Sequence, residues 1–165
     1  MATIVSPAVN GTARTKEPES TTWPASSGTP KSWSLFASHA IEIVDSRYVR
    51  RGPTPLVDSI SDAASCGLVV LGGRPRRLTD VDLRRVGATL SINGTLEESG
   101  VAAAVMGNPV NSVAWLANKL HDFGVPLEAG HVVLSGSFVR AVPFTAGDTI
   151  VAIFDHFGEV TFAAE

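Results

Sequence analysis

Glu42 lies in the stretch IEIVDSR, Ile41 to Arg47, where an apolar strand pattern carries an acid. In an extended chain Ile41 and Ile43 point one way and Glu42 and Val44 the other, so a carboxylate is held among apolar neighbours on a rigid element. Two chemistries fit it. One is an ion pair with Arg47 or Arg50. The other is a metal ligand, because hard cations such as Mg²⁺ take one or two protein carboxylates and leave other positions to water and substrate. A second polar group follows, with Asp58, Ser61, Asp62 and Ser65 crowded into eight positions. These side chains either cap a helix or turn or line a site. A third is LSGS, Leu134 to Ser137. A glycine between two serines at the end of an apolar strand forms an ordinary turn, or presents backbone N–H groups and hydroxyls to a carboxylate. His39, His121, His131 and His156 are scattered, with no two at a spacing that shares a face, which argues against a histidine zinc site. No GxSxG elbow, phosphate-binding loop or dinucleotide glycine fingerprint occurs.

The elements that must position these groups are legible in outline. Residues 1–32 are rich in Ala, Ser, Thr, Pro and Gly without apolar periodicity, and are expected to be disordered or a foreign N-terminal segment. They lack the charged start and apolar centre of a secretory signal, and Glu17 and Glu19 argue against an organellar transit peptide. The character changes near Trp33, so the folded domain is expected over 33–165. YVRRGPTP is a basic turn and GRPRRLTD an exposed loop. VDLRRVGATLSINGTLEESG reads as two strands about the Asn93-Gly94 turn. NPVNSVAWLANKLHDFG is the clearest helix: Asn108 caps it, Pro109 suits its first position, Gly124 closes it, and Val110, Val113, Ala114, Ala117 and Leu120 make one stripe. The tail returns to extended structure, with turns at Ala146-Gly147-Asp148 and Gly158. The expected fold is α+β, a mostly antiparallel mixed β-sheet with one main packed helix.

Composition narrows the partners. The 165 residues hold 44% apolar and 18% charged residues, the pattern of a soluble globular domain. A net charge of -3 gives no footprint for nucleic acid. No apolar run approaches the roughly 18 residues of a membrane span. Cys66 is the single cysteine, which excludes an internal disulfide and fits a reducing cytoplasm.

Taken in order, EIVDSR, VDSISD, LGGRP, DVDLRRVGATLSINGTLEESGVAAAVMGNPVNSVAWLANKL and VVLSGSF with AGDTIVAIFDHFGEVTF resemble the 2-oxo-4-alkenoate hydratase and 4-oxalocrotonate decarboxylase group of the fumarylacetoacetate hydrolase superfamily. The resemblance runs from Ala40 to about Phe162 and matches the C-terminal portion of that group, implying a fumarylacetoacetase-like C-terminal fold. It implies a lyase of aromatic catabolism that acts on a small 2-oxo acid with Mg²⁺ or Mn²⁺. Two glutamates spaced Glu-x-Glu on one strand and a third, later acid hold that metal, and Glu42 falls at the third position. The resemblance places Asp62 and Ser65 on the catalytic side and Ser135, Gly136 and Ser137 at the substrate.

The departures shape the expectation as much as the matches. The family's Glu-x-Glu strand and catalytic lysine have no counterpart here, since Glu17-Pro18-Glu19 has a proline between its acids and polar surroundings. The family's Asp-Asn-Ala-Ser is Asp62-Ala63-Ala64-Ser65, which removes an amide. The implied function is a metal-dependent hydratase of 2-hydroxy-2,4-dienoates, inactive or weakened through loss of its N-terminal half and with weak metal binding. The alternatives are a 4-oxalocrotonate-type decarboxylase, or a non-catalytic subunit that forms a homo-oligomer or pairs with a full-length homologue.

Overall fold

A computed structural model of the chain describes residues 36–48, 52, 54–128 and 131–165, together with the backbone course of residues 2–10. Two antiparallel sheets face each other. The first holds β1 (Ala2–Asn10), β2 (Phe36–Val44), β3 (Cys66–Leu71), β4 (Arg76–Arg77) and the short β7 (Val132–Val133). Its order is β3-β2-β1-β7, and β4 joins β2 beyond the end of β3. The second runs β6-β5-β8-β9, from β5 (Gly87–Ile92), β6 (Thr95–Val101), β8 (Thr149–Phe154) and β9 (Gly158–Ala163). Helix α1 covers Leu56–Ser61 and α2 covers Pro109–Asp122. The expected α+β class with one main helix is what the chain adopts.

Period-two burial explains why β2 is central. Ala37, His39 and Ile41 are buried on one face, and Ala37 and Ile41 belong to the core that Leu90, Ile150, Ala152, Phe154 and Phe157 complete from the second sheet. Helix α2 packs through Val113, with Val133 from β7 and the half-buried Leu116 and Leu127 in a smaller cluster. Its start is built as its sequence suggests: the Asn108 side chain accepts the Val110 amide at 3.1 Å and Pro109 follows. Trp115 is exposed, so the helix face carrying it is not the packing face. The β5–β6 hairpin turns through Asn93 (φ 52°) and Gly94 (φ 81°), both left-handed as a two-residue I′ turn requires.

The N-terminal expectation needs correction. Ala2–Asn10 is not disordered but pairs with β2 from Ala2↔Ile43 to Asn10↔Phe36, and with β7 at Val9 and Asn10. The β-branched Thr3, Ile4, Val5 and Val9 favour extended backbone. The register shifts between Val5 and Ala8, where Pro7 has no N–H to give a ladder. The expected boundary near Ser32, and the remainder of 1–32, lie outside the described residues.

Between α1 and β3 the chain makes an unusual turn. Ala63, Ala64 and Ser65 have φ values of 51°, 54° and 60°, three consecutive left-handed residues with no glycine among them. Each such residue costs roughly 1–2 kcal/mol relative to right-handed backbone. The turn is held by the Ser65 amide donating to the Asp62 carbonyl and the Asp45 amide donating to the Ser65 carbonyl, both at 2.9 Å. Because the Ala63 methyl is exposed and buries nothing, Ala63→Gly is expected to stabilise the chain by about 1 kcal/mol. Chemical denaturation midpoints read this directly, and a loss of stability would contradict the strained turn.

Candidate active site

The alternation that buries Ile41 turns Glu42 to the opposite face of the first sheet, where it is half-buried. Its neighbours across the ladder are Thr3 on β1 and Val69 on β3. Neither adjacent strand carries an acid, and among the described residues Glu42 makes no hydrogen bond or ion pair. The ion pair expected as one option with Arg47 does not form. Arg47 turns instead to Asp62, with Nη1 3.1 Å from Oδ1, while Arg50 lies outside the described residues.

Asp62 is a tie between elements. Its carboxylate accepts from the Ser46 hydroxyl at 3.1 Å, the Arg47 amide at 3.2 Å and the Arg47 guanidinium at 3.1 Å. Arg47 also donates to the carbonyls of Asp62 and Cys66, each at 3.0 Å. Burial alone would raise the Asp62 carboxyl, but the bonds from Arg47 and Ser46 outweigh it and hold it below the usual carboxylate range. The residue therefore fastens the end of β2 to the left-handed turn, and Ser65 is buried within that turn. A cavity of about 310 Å³ opens beside it, lined in part by Tyr48, Asp58, Ser61 and Asp62.

Ser135, Gly136 and Ser137 form a separate centre. The Ser135 carbonyl accepts the Ser112 hydroxyl from the first turn of α2 at 2.6 Å. Gly136 has φ 118°, a conformation open to glycine and costly for other residues. Ser137 donates its hydroxyl to the Val139 carbonyl at 2.7 Å. Ser135 Oγ is buried and has no hydrogen-bond partner among the described residues. A hydroxyl left so is an expensive feature unless something outside the chain satisfies it. The amide dipoles at the start of α2 favour negative charge beside this turn.

These groups do not converge on one point. Asp62 and Ser65 lie near the Val44 end of β2, close along the ladder to Glu42. Val133, from which the serine turn departs, is level with Val9 and through it with Ala37. Ala37 is five positions before Glu42, about 17 Å along the strand and two strands away. Sequence reasoning weighed His39 only as a zinc ligand, although the alternation of SHAIEI puts it between Ala37 and Ile41 on the core face. It passed over the Arg47–Asp62 tie, a contact between distant segments with no local signal.

The arrangement defines a two-sheet domain with the Glu42 carboxylate, unpaired among the described residues, and a serine-rich turn on the helix-bearing sheet. Against solved structures, the chain superposes on 4-oxalocrotonate decarboxylase from Pseudomonas putida G7 complexed with magnesium and adipate. The TM-score is 0.79 at 28% identity, covering 99% of this chain and 60% of that one. The same enzyme complexed with calcium and acetate gives 0.77. Among curated proteins it is 43% identical over 127 residues to the 2-oxo-hept-4-ene-1,7-dioate hydratase of Escherichia coli. It is 42% identical over 125 residues to the 2-keto-4-pentenoate hydratase of Burkholderia vietnamiensis. These matches cover 74% and 76% of this chain but 48% and 47% of the relatives, so the chain spans about half their length. No family model matches it. The chain belongs to the group of 2-oxo-4-alkenoate hydratases and 4-oxalocrotonate decarboxylases in the fumarylacetoacetate hydrolase superfamily.

The divalent cation seen in the decarboxylase does not fit the donors described here. No group of three His, Cys, Asp or Glu side chains that could hold a metal occurs among the described residues, and Glu42 stands between a threonine and a valine. One carboxylate, with every other position left to water, makes at most a weak Mg²⁺ site on its own.

Proposed function

We propose that the chain carries the substrate-holding part of a metal-dependent hydratase that adds water to 2-hydroxy-2,4-dienoates in aromatic meta-cleavage catabolism, and that it does not complete the reaction alone. The observation that carries this reading is the 43% identity over 127 residues with a hydratase of that chemistry. Within it, residues 33–165 together with strand β1 act as a partial catalytic domain, and a cytoplasmic setting suits the single thiol. Ser135 Oγ, the Gly136 turn and the α2 N-terminus take a carboxylate of a small 2-oxo acid: the hydroxyl gains its missing partner and the helix dipole favours the charge. Ser65, in its fixed turn, and Asp62, through Arg47, keep the Glu42 end of the sheet in place. Mg²⁺ or Mn²⁺ would serve the complete enzyme, with Glu42 as one ligand among acids this chain's described residues do not supply.

A 4-oxalocrotonate-type decarboxylase is the second reading, favoured by the structural match at TM-score 0.79. Both reactions pass through a dienolate and need the same carboxylate grip.

The test is a ¹⁵N amide titration of the chain with adipate or a 2-oxo dicarboxylate, paired with assays of dienoate consumption and carbon dioxide release. Shifts centred on residues 135–137 and weakened about tenfold by Ser135→Ala are expected, with turnover absent in both assays. Shifts confined to other regions would sink the assignment of the turn, and turnover by the chain alone would sink the claim of incompleteness.

A further inference from the structure

Independently of the hydratase reading, the outer edge of β3 has the features of an interaction surface. Strands β3 and β4 lie end to end along one side of β2, β3 opposite Ala40–Val44 and β4 opposite Phe36–Ala37. Among the described residues β3 pairs with β2 alone. The Gly72 amide donates to the His39 carbonyl at 2.8 Å, so by alternation Val70 and Leu68 also turn their backbone groups toward β2. The N–H and C=O groups of Val69 and Leu71 then face outward, while the register shift between Ile43 and Val44 makes Gly67 a bulge residue set against β2. Edge strands in proteins are normally blunted by lysine, proline or an inward charge. CGLVVL contains none of these, and Leu68 and Leu71 are 59% and 50% exposed.

The charges at the two ends of this edge are opposite in sign. At the Cys66 end stand Asp45, whose amide bonds the Ser65 carbonyl, and Asp58. The Asp45 carboxylate accepts the neighbouring Ser46 amide at 2.8 Å, and neither acid has an ion pair among the described residues. Arg47, the cation at that end among the described residues, is committed to Asp62. Past the Leu71 end come Arg74, Arg76 and Arg77, all exposed and none ion-paired among the described residues.

We propose that two copies of this chain associate through β3, antiparallel, about a two-fold axis at Val69. In that register Val69 faces the partner's Val69, so outward backbone groups meet outward groups at the axis, and each Leu71 lies opposite the bulge at the partner's Gly67. Leu68 meets the partner's Val70, which covers its exposed side chain. An isologous contact uses each complementarity twice, and here the acidic end of each copy meets the arginine end of the other. A neutral extended peptide would satisfy the ladder and leave both charge clusters unmet, which favours a second copy as the occupant.

Sedimentation velocity of the full chain should show a dimer of twice 17.2 kDa that weakens as salt rises. The pair Leu68→Lys and Leu71→Lys should raise its dissociation constant at least about tenfold while leaving thermal melting intact. Should that variant fail to fold, the exposed pair Arg74→Glu and Arg77→Glu decides: it should weaken the dimer, and adding Asp45→Arg and Asp58→Arg should restore it. A monomer at up to about 100 μM, a folded lysine variant that still dimerises, or charge reversal without effect would each overturn the proposal.

Discussion

Lowering the pH from 7 toward 5 should destabilise the fold steeply, by up to about 1.4 kcal/mol per pH unit below 6.5, through His39. The ring lies between the two sheets at 1% exposure, tilted against Phe154 and Phe157 with centroids 5.3 and 5.9 Å away. Nε2 lies 3.2 Å from the Glu159 carbonyl, which fixes the proton on that nitrogen. Nδ1 is buried with no partner among the described residues. Burial depresses the pKa, the bond to Glu159 partly opposes this, and the Arg74 guanidinium lowers it further. The folded state therefore keeps the imidazole neutral where the unfolded chain would protonate it. Above 6.5 neither state binds the proton and His39 adds no pH dependence. Below 6.5 the unfolded state binds more protons, so stability falls with pH until the depressed folded value is reached. His39→Leu should flatten the profile between pH 6.5 and 5, as read by urea midpoints at each pH. A wild-type profile that is flat over this range would contradict a neutral buried ring.

Gly100→Ala should cost about 3 kcal/mol. A methyl at this position would be driven into the Phe138 carbonyl oxygen and against Val139 Cγ1, and a backbone oxygen has nowhere to move. Gly100 pairs with Ala88 near the end of β6, and Phe138 is buried in the core beside Phe154 at 6.2 Å between ring centroids. The strain would therefore pass into both the second sheet and the segment that follows the serine turn. Gly72→Ala should act similarly through a softer obstacle, since its methyl would meet the His39 ring. Thermal melts of the two variants should rank Gly100→Ala as the more damaging. A neutral Gly100→Ala would mean the Phe138 segment does not lie against β6.

The strongest sequence signals were the local ones. Asn93-Gly94 and Asn108-Pro109 act within a few residues, and both the hairpin and the helix start formed where their residue types demand. The alternation in IEIV placed Glu42 and Ile41 on opposite faces correctly because a strand has only two. Strand β1 was missed because small residues and Pro7 dilute its pattern, and because a strand docking on an existing edge gains its ladder from backbone that composition does not report. The left-handed run at Ala63–Ser65 was invisible for a different reason: alanine gives no sign of positive φ, and the turn is imposed by the Asp62 and Asp45 bonds across it. For the candidate site, sequence named the serine turn and Glu42. It gave no sign of their separation along the sheet, which follows from how β1 and β7 pair.

The chain is thus read as one wall of a hydratase-type site, with its carboxylate cradle unfinished among the described residues. Isothermal titration of the purified chain with Mg²⁺ and with Mn²⁺ tests this most directly. The expected result is binding no tighter than about millimolar, unchanged by Glu42→Ala. A site of about micromolar affinity that Glu42→Ala abolishes would show that this chain completes the cradle itself.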